Sequence, residues 1–573
     1  MNARVCLRPG AAPVGVAIRM ACAVVLVQAW AVAQEPVSIK VDANARLGPF
    51  KPVYTYFGGD EPNFTYMKNG RKLVSELARL SPAPMYVRTH NLLTSGDGTP
   101  AFKWGSTNAY SEDPAGRAVY DWTVVDKILD TYVQVKARPF VEIGFMPEAL
   151  STKPQPYQHH WHPGARYDEI FTGWSYPPKD YGKWAELVRH WVLHSVERYG
   201  KGEVLSWYWE LWNEPDIPYW RGTAEEYNKL YDFTAEAVKR ALPQARVGGP
   251  ATTGPSGPKA AAYLRQFLEH CARGNNYMTG KTSAPLDFIS YHAKGNTRVF
   301  DGHIQMSIAK NLQDVDRGLE VVAEFPQFRG LPIFLTEADP EGCAACSARV
   351  SPQNAYRNGS LYPCYVAEAM SNMLRLADRR QSNLAGMLTW AFEFEDQPFF
   401  EGFRTLATNG IDKPVLNVFR MAGLMQGDLV RVESGGAIGL DAVLQSGVRG
   451  KADVNALATR SDRSIAVMVW NYCDDDVPGP DATVTLGIGG LPLSTSRVLM
   501  RHYRIDSDHS NAFSVWKKLG APQHPTPEEY AELERAGQLE LLTSPEWLWN
   551  QQGRAELNFK LPREAVSLIE LSW

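Results

Sequence analysis

Two segments of the chain each place a glutamate directly after a short apolar run. The first is Trp209–Asp216, which reads WELWNEPD and contains Glu214. The second is Leu335–Pro340, which reads LTEADP and contains Glu337. Two carboxyl groups that flank a glycosidic bond can cleave it, because one donates a proton while the other attacks the sugar carbon. We therefore predict that Glu214 and Glu337 carry the chemistry.

Three further glutamates, Glu142, Glu210 and Glu393, compete for these roles. Glu210 comes four residues before Glu214, so strand alternation places it on the same face but deeper. At that depth a carboxylate pairs more readily with a basic neighbour such as Arg88 than with a substrate. We assign Glu210 a supporting role.

The apolar runs alternate with longer helical patterns between about Lys51 and Met425. Such alternation predicts an α/β fold, a (β/α)8 TIM barrel, in which strands four and seven lie across the barrel from each other. In this fold the chemistry lies at the carboxyl ends of the strands, where Glu214 and Glu337 fall. The eight predicted strands are Val53–Phe57, Met85–Thr89, Phe140–Phe145, Ser206–Leu211, Arg246–Gly249, Phe288–Tyr291, Ile333–Leu335 and Leu388–Phe392.

The pattern changes after about Gly427. Apolar and polar residues then alternate, as in Ile465–Val469, with turns rich in glycine and proline between the runs. This predicts an accessory antiparallel β-sandwich, to which the alternating segment Val37–Val41 adds a strand. The predicted boundaries are a signal peptide at 1–33, the N-terminal strand at 34–50, the barrel at 51–426 and the sandwich at 427–573.

The first residues have the pattern of a targeting segment. Three arginines precede an apolar run from Met20 to Val32, and Ala31-Val32-Ala33 resembles a cleavage site. The apolar run is too short for a membrane span, so we expect a secreted or periplasmic protein without a membrane anchor after cleavage.

The amino-acid composition limits the classes of molecule that this protein is expected to bind. The 63 acidic and 59 basic residues give a net charge of −4, which provides no basic surface for nucleic acid. The 17 Trp and 25 Tyr residues offer flat faces that suit sugar rings, although most belong to the core. An oligosaccharide or polysaccharide is the expected partner, and the oligomeric state is left open.

Five cysteines remain after the predicted signal, so at least one stays unpaired within the chain. Cys343 and Cys346 have the spacing of a redox loop or of half a zinc site, but no second CxxC or paired His follows. We predict a structural disulfide that joins one of these two to Cys364. The His159–His162 cluster lacks a carboxylate at ligand spacing, so we expect no metal and no cofactor.

Four motifs in the barrel region are similar to those of glycoside hydrolase family 39, a family of β-xylosidases and α-L-iduronidases. The likeness runs in order from about Val53 to Met425, and it implies a barrel, an attached β-sandwich and a retaining two-step mechanism. The motifs are Val87–Leu93, Trp212–Asp216, Leu286–Gly295 and Glu337–Pro340.

The resemblance also implies roles for single residues. Glu214 matches the acid/base, Glu337 the nucleophile and Asn213 the residue that holds the sugar 2-hydroxyl. His90 and His292 match sugar contacts. We expect the negative charge of Glu337 to keep Glu214 protonated, as an acid catalyst requires.

Protein residues near C5 of the bound sugar decide which substrate the site accepts. At C5 a β-D-xyloside has no substituent, whereas an α-L-iduronide has a carboxylate. Lys294 and Arg404 resemble the iduronidase residues that meet this carboxylate, and we expect the ammonium of Lys294 at the edge of the sugar site. The segment Trp390–Phe399 is closer to the xylosidases, and its Glu395 and Asp396 are predicted to bind hydroxyls. Together with export, this favours a β-xylosidase.

Three alternatives stay open. One is an α-L-iduronidase-like enzyme or another uronide or arabinoside hydrolase of the same family. Another is an inverting hydrolase, which the distance between the carboxyl groups distinguishes from a retaining one. A third is a non-catalytic carbohydrate-binding protein, which would bind a glycoside without turnover.

Overall fold

The computed structural model describes residues 36–390 and 392–573. The predicted signal peptide at 1–33 lies outside these residues. In the described part of the chain, no helix has both the length and the apolar character needed to cross a bilayer.

Eight parallel strands close into a barrel, which confirms the predicted (β/α)8 fold. Each predicted run overlaps an observed strand, with ends shifted by a few residues. The first strand pairs with both the second and the eighth. The barrel strands are Tyr56–Gly59, Tyr86–Thr89, Arg138–Ile143, Tyr208–Leu211, Arg246–Thr252, Phe288–His292, Ile333–Glu337 and Leu384–Trp390.

Helices surround the barrel, and the helix Ala224–Ala241 shows how their ends are set. At the start of this helix, the side chain of Thr223 accepts from the backbone N–H of Glu226, and the Glu226 side chain accepts from the backbone N–H of Thr223. This capping box fixes where the helix begins. The α-helices among the described residues are α1 Lys68–Leu77, α2 Thr123–Gln134, α3 Tyr181–Tyr199, α4 Lys201–Val204, α5 Ala224–Ala241, α6 Pro258–Arg273, α7 Ile308–Ala323, α8 Leu361–Arg379, α9 Pro414–Leu424, α10 Leu440–Ser446, α11 Ala512–Lys518 and α12 Pro527–Ala536.

The barrel interior is layered. Tyr208 belongs to a buried, mostly aromatic cluster that fills the lower barrel together with residues such as Phe140 and Phe334. Because side chains alternate along a strand, the next inward position after Tyr208 is Glu210, and the next after Phe140 is Glu142. A layer of charged side chains therefore lies directly above the aromatic cluster and just below the mouth of the barrel.

The accessory domain is a curled ten-stranded sheet. All strand pairs of this sheet are antiparallel except one. Val37–Pro49 pairs in parallel with Ala482–Gly489. The sheet is therefore mixed rather than antiparallel. The strands in sheet order are Glu540–Leu541, Arg497–Ile505, Val566–Ser572, Ser464–Tyr472, Asp453–Arg460, Asp428–Ser434, Val37–Pro49, Ala482–Gly489 and Arg554–Leu561, with Glu546–Trp549 also paired to Arg497–Ile505.

The strand Ser464–Tyr472 connects the two domains, because both of its faces are buried. Val467 lies in the core of the sheet, whereas Met468 and Trp470 lie in the barrel cluster. The indole N–H of Trp470 donates to Glu368 on α8. Three two-stranded ribbons complete the fold: Tyr110–Glu112 with Ala118–Tyr120, Arg298–Phe300 with His303–Gln305, and Ala407–Thr408 with Ile411–Asp412.

Candidate active site

Glu214 lies in the turn that follows the fourth barrel strand. The backbones of Trp212 and Glu214 are left-handed, with φ of 65° and 43°. The backbone N–H of Glu214 donates to Ala251 O in the fifth strand at 2.9 Å. Residues other than glycine keep such angles only where the surrounding structure imposes them. The position of the Glu214 carboxyl is therefore set by its neighbours.

Glu337 is the last residue of the seventh strand. The pairing of this strand with the sixth is irregular after Leu335, so that Glu337 lies opposite His292. Strict alternation after Phe334 would direct Thr336, not Glu337, toward the barrel axis. The irregularity thus brings the glutamate to the mouth.

The two carboxyl groups meet at the barrel mouth. One oxygen of each and one nitrogen of His292 lie within 4.8 Å of one another. His292 Nδ1 is 2.9 Å from Glu214 Oε1 and 3.8 Å from Glu337 Oε1. Retaining glycosidases hold their carboxyl groups about 5–5.5 Å apart, and inverting ones about 6.5–9.5 Å apart. The close approach seen here is typical of the retaining arrangement.

The ammonium of Lys294 contacts both carboxylates. Its Nζ atom lies 3.1 Å from Glu214 Oε1 and 2.5 Å from Glu337 Oε2. We predicted this ammonium at the edge of the sugar site. Two buried negative charges attract a nearby cation strongly in a medium of low dielectric constant, which explains the difference.

Glu214, His292 and Glu337 are also of the types that can bind a metal ion. The Lys294 ammonium already supplies positive charge at both carboxylates, so the protein's own side chains compensate the pair.

The pKa values of the two glutamates follow from these contacts. Burial alone would raise both, but Lys294 and His292 outweigh it and hold the pKa of Glu214 well below its usual range. The pKa of Glu337 is lowered for the same reason, which suits a nucleophile. The Lys294 ammonium opposes the effect of Glu337 at Glu214, and the protonation of Glu214 that acid catalysis requires stays a prediction.

His90 lies beneath the nucleophile. Its Nδ1 is 2.7 Å from Asp60 Oδ1, and its Nε2 is 2.8 Å from Glu142 Oε2 and 3.8 Å from Glu337 Oε1. Burial alone would lower the pKa of His90, but Glu142 and Asp60 raise it to about 9. Both ring nitrogens are thus engaged by carboxylates, so His90 supports the nucleophile's side of the site rather than presenting a free nitrogen to a sugar.

Arg88 connects the charged layer to the mouth. Its Nε lies 2.5 Å from Glu210 Oε2, the pair predicted from the sequence, and its Nη2 lies 3.0 Å from Glu142 Oε2. Arg88 Nη2 also donates to Asn213 Oδ1 at 3.0 Å. This bond uses the carbonyl of the Asn213 amide, so the amide N–H groups are the ones that can meet a sugar hydroxyl.

Sequence reasoning missed Asp60 and Lys103. Asp60 directly follows the first barrel strand, and its carboxylate contacts both His90 and the buried ammonium of Lys103. The position after a barrel strand is the signal that identifies Asp60. Lys103 has no such signal, because it lies in the long segment after the second strand.

The structure places Arg404 against acidic residues of the loop after the seventh strand, and its contact with a sugar stays a prediction. Arg404 is fully buried, 3.4 Å from both Asp339 and Glu341, and it also donates to the Glu341 carbonyl. These contacts hold the loop after Glu337. They follow from burial, because a buried cation requires nearby anions and acceptors.

Glu395 and Asp396 are not joined to the catalytic pair by any hydrogen bond among the described residues. Glu395 Oε1 accepts from the backbone N–H of Asn69 at 3.1 Å, in the first turn of α1. A carboxylate there satisfies a helix N–H group that has no partner within the helix. Asp396 lies in a turn with φ of 59°. Their placement gives Glu395 a capping role and leaves hydroxyl binding by either residue a prediction.

The predicted disulfide to Cys364 is wrong. Cys343 and Cys346 are bonded to each other, and Cys364 is a buried free thiol on α8 whose Sγ lies 3.7 Å from Ala565 O. The tight loop brings the two nearby cysteines together, whereas Cys364 faces the accessory sheet.

The disulfide loop also borders a cavity of about 370 Å³ that includes Glu214 and Lys294.

The sequence also matches a known protein family. The profile of glycosyl hydrolases family 39 matches residues 37–549, which is most of the chain. The chain belongs to glycosyl hydrolase family 39. It is therefore a glycoside hydrolase, and the alternative of a non-catalytic binding protein is set aside.

Other members of family 39 are related over most of the chain. A β-xylosidase of Geobacillus stearothermophilus is 29% identical over 501 residues, which are 85% of this chain and 86% of the relative. An α-L-iduronidase of Mus musculus is 24% identical over 487 residues, which are 80% of this chain and 69% of the relative.

Solved structures show the same fold. A monomeric β-xylosidase from Caulobacter crescentus CB15 matches with a TM-score of 0.71 and 24% identity, over 93% of this chain and 99% of the other. A bacterial orthologue of human α-L-iduronidase matches with a TM-score of 0.73 and 21% identity, over 94% of this chain and 84% of the other. Both agree with a TIM barrel and a second domain.

Proposed function

We propose that this glycoside hydrolase is a retaining β-xylosidase that releases sugar from oligosaccharides or polysaccharides. The close pairing of the Glu214 and Glu337 carboxyl groups, with an oxygen of each within 4.8 Å, carries the proposal of retention.

In the first step Glu337 attacks the anomeric carbon while Glu214 gives its proton to the leaving oxygen, so the glycosidic bond breaks and a glycosyl-enzyme forms. In the second step Glu214 takes a proton from water. The resulting oxygen nucleophile attacks the anomeric carbon, and Glu337 leaves as a carboxylate. The amide of Asn213 donates to the 2-hydroxyl, a contact that strengthens in the transition state.

Two observations support a xyloside. The β-xylosidase of Geobacillus stearothermophilus is similar over most of both chains. Arg404 is buried beside Asp339 and Glu341, two acidic residues that compete with a substrate carboxylate for its guanidinium. Lys294 supports the second candidate, an α-L-iduronidase, because its ammonium lies within the site.

Turnover of 4-nitrophenyl β-D-xyloside and of 4-methylumbelliferyl α-L-iduronide distinguishes the two sugars. We expect greater activity on the xyloside and none in Glu337→Gln. If the substrate bears a C5 carboxylate, Lys294→Met should cost about 10- to 150-fold on the iduronide, the equivalent of a charge-assisted hydrogen bond. Stronger parent activity on the iduronide, with that loss, would overturn the choice of sugar.

Export is part of the proposal. The targeting pattern at 1–33 supports it, as does the Cys343–Cys346 disulfide, since disulfides persist in oxidising compartments. N-terminal sequencing of protein recovered outside the cytoplasm should begin near Gln34. Recovery in the cytoplasm with Met1 intact would contradict it.

A further inference from the structure

A second cavity, of about 590 Å³, lies beside the proposed catalytic acid. Pro215 and Asp216, the two residues after Glu214, form part of its wall. The rest of the wall comes from segments that follow the third, fourth and fifth barrel strands, including Tyr176 and Tyr263. Because all of these segments leave the carboxyl ends of strands, the cavity opens on the same end of the barrel as the active site.

The two cavities share a wall. Thr253 borders the catalytic cavity and Asp216 borders the second one. The backbone N–H of Thr253 donates to Asp216 Oδ1 at 2.9 Å, and the Thr253 hydroxyl donates to Oδ2. The second cavity therefore lies on the side of Glu214, away from the strand that carries Glu337. That is the side on which a leaving group receives its proton.

The wall of this cavity is positively charged. Arg221 and Lys259 line it, and among the described residues neither has a carboxylate within 4.0 Å. Arg221 Nη1 donates to Tyr176 Oη at 3.2 Å, which holds the guanidinium beside the cavity. Asp216 is an acidic residue of the same wall, but both of its oxygens accept hydrogen bonds from Thr253 rather than from Arg221 or Lys259.

Two further features favour an anionic, hydroxylated ligand. The helix α6 begins at this cavity with Lys259 in its first turn, and its N-terminus, which has no acidic residue in the first turn, favours negative charge. The hydroxyl of Tyr263 is buried and has no hydrogen-bond partner in the described part of the chain. A buried hydroxyl without a partner is costly unless a ligand supplies one.

We propose that this cavity is a subsite for the leaving-group part of the substrate, and that it binds a sugar residue bearing a uronic acid. Arg221 and Lys259 bind the carboxylate, and Tyr263 binds a hydroxyl. The proposal rests on the proposed glycosidase function and extends it to acidic, branched oligosaccharides.

The test compares three ligands on the full-length protein. They are 4-nitrophenyl β-D-xyloside, a neutral xylo-oligosaccharide and the same oligosaccharide with a glucuronic acid branch. The variant is Arg221→Gln/Lys259→Gln, and the control is Lys201→Gln/Arg240→Gln, which removes the same charge from exposed positions elsewhere. We expect kcat/KM on the acidic oligosaccharide to fall at least about 10-fold more in the variant than kcat/KM on the other two, mainly through KM. The control should match the parent on all three.

Equal losses on the acidic and neutral oligosaccharides would overturn the preference for uronic acid, and no loss on either would overturn the subsite. Calorimetric binding of the acidic oligosaccharide to the parent and the variant separates this proposal from the catalytic one. Binding that the variant loses supports the subsite even if the aryl xyloside is not cleaved. Failure of the parent to bind overturns the subsite even if the aryl xyloside is cleaved.

Discussion

Lys294 couples charge compensation to acid catalysis. Its ammonium contacts both glutamates, and it lowers the pKa of the carboxyl that must donate a proton. An acid catalyst works best when its pKa lies near the working pH. The proton on Glu214 therefore depends on where the Lys294 ammonium lies.

Replacing Lys294 by Met should change the pH dependence of catalysis. Without the cation, burial raises the pKa of Glu214, so the alkaline limb of kcat/KM on xylobiose should move to higher pH. Rates measured across about pH 4–10 test this. Lys294→Arg keeps the charge and should keep the parent profile. An unchanged profile in Lys294→Met would contradict the role given to the lysine.

Glu214→Ala should affect substrates according to their leaving groups. We expect a loss of about 10²- to 10⁴-fold on xylobiose, whose leaving alcohol needs a proton, and a much smaller loss on 4-nitrophenyl xyloside. Steady-state kinetics on both substrates measure the difference. Equal losses on the two would indicate a structural role instead.

For single residues, the sequence was sufficient to predict that Glu214 and Glu337 meet at the barrel mouth and that Arg88 contacts Glu210. Both predictions depend on strand ends and on the alternation of side chains along a strand. It was not sufficient for Arg404. Whether an arginine meets a substrate or a buried aspartate depends on how a loop folds back, and local pattern carries no such information.

Among the elements, the loop after the seventh strand is held by two buried arginines, Arg404 and Arg357. Arg357 donates to the carbonyls of Cys343 and Cys346 at 2.7 Å and pairs with Glu341 at 2.6 Å. The disulfide closes only a short loop, since its cysteines are three positions apart. Arg357 therefore constrains more of this loop than the disulfide does.

Arg357→Met should destabilise the protein by about 3–5 kcal/mol, because it removes the nearer cation of Glu341 and leaves the carbonyls of Cys343 and Cys346 without this donor. The double change Cys343→Ser/Cys346→Ser should cost only about 2 kcal/mol, the loop entropy expected for so short a ring. Free energies of unfolding from urea titrations compare the two. A larger loss from the cysteine changes would reverse the ranking.

The elements themselves were largely predictable, and their irregularities were not. Eight apolar runs indicate eight strands whatever their neighbours are. The displaced pairing at Glu337 and the parallel pairing of Val37–Pro49 arise from contacts between distant segments. Periodicity along a single strand does not report its partner.

For the whole molecule, a buried carboxyl pair lies where the barrel meets the accessory sheet. Glu368 on α8 and Asp453 on the sheet are both buried. Burial raises the pKa of Glu368 well above its ordinary value of 4.5, and the nearby Asp453 raises it further. The folded chain thus holds this proton to higher pH than the unfolded chain does. The stability it contributes is complete below about pH 4.5 and is lost as the pH rises above it.

Glu368→Gln should remove this dependence, because an amide stays neutral and keeps the shape of the protonated acid. We expect the free energy of unfolding of the parent to fall relative to the variant as the pH rises above 4.5. Thermal or urea unfolding at several pH values measures this. Glu532→Gln, at an exposed position, provides the control and should follow the parent. Parallel curves for parent and Glu368→Gln would contradict the account.

The strand Val37–Pro49 has a consequence for how the protein is made. It pairs with Asp428–Ser434 on one side and Ala482–Gly489 on the other, so nearly 400 residues separate it from the nearer partner. At about 5–20 residues per second, the ribosome delivers that partner roughly 20–80 s later. Throughout this interval the segment has two unpaired edges while the entire barrel is synthesised. Chaperone binding during biosynthesis should therefore concentrate on the strand Val37–Pro49.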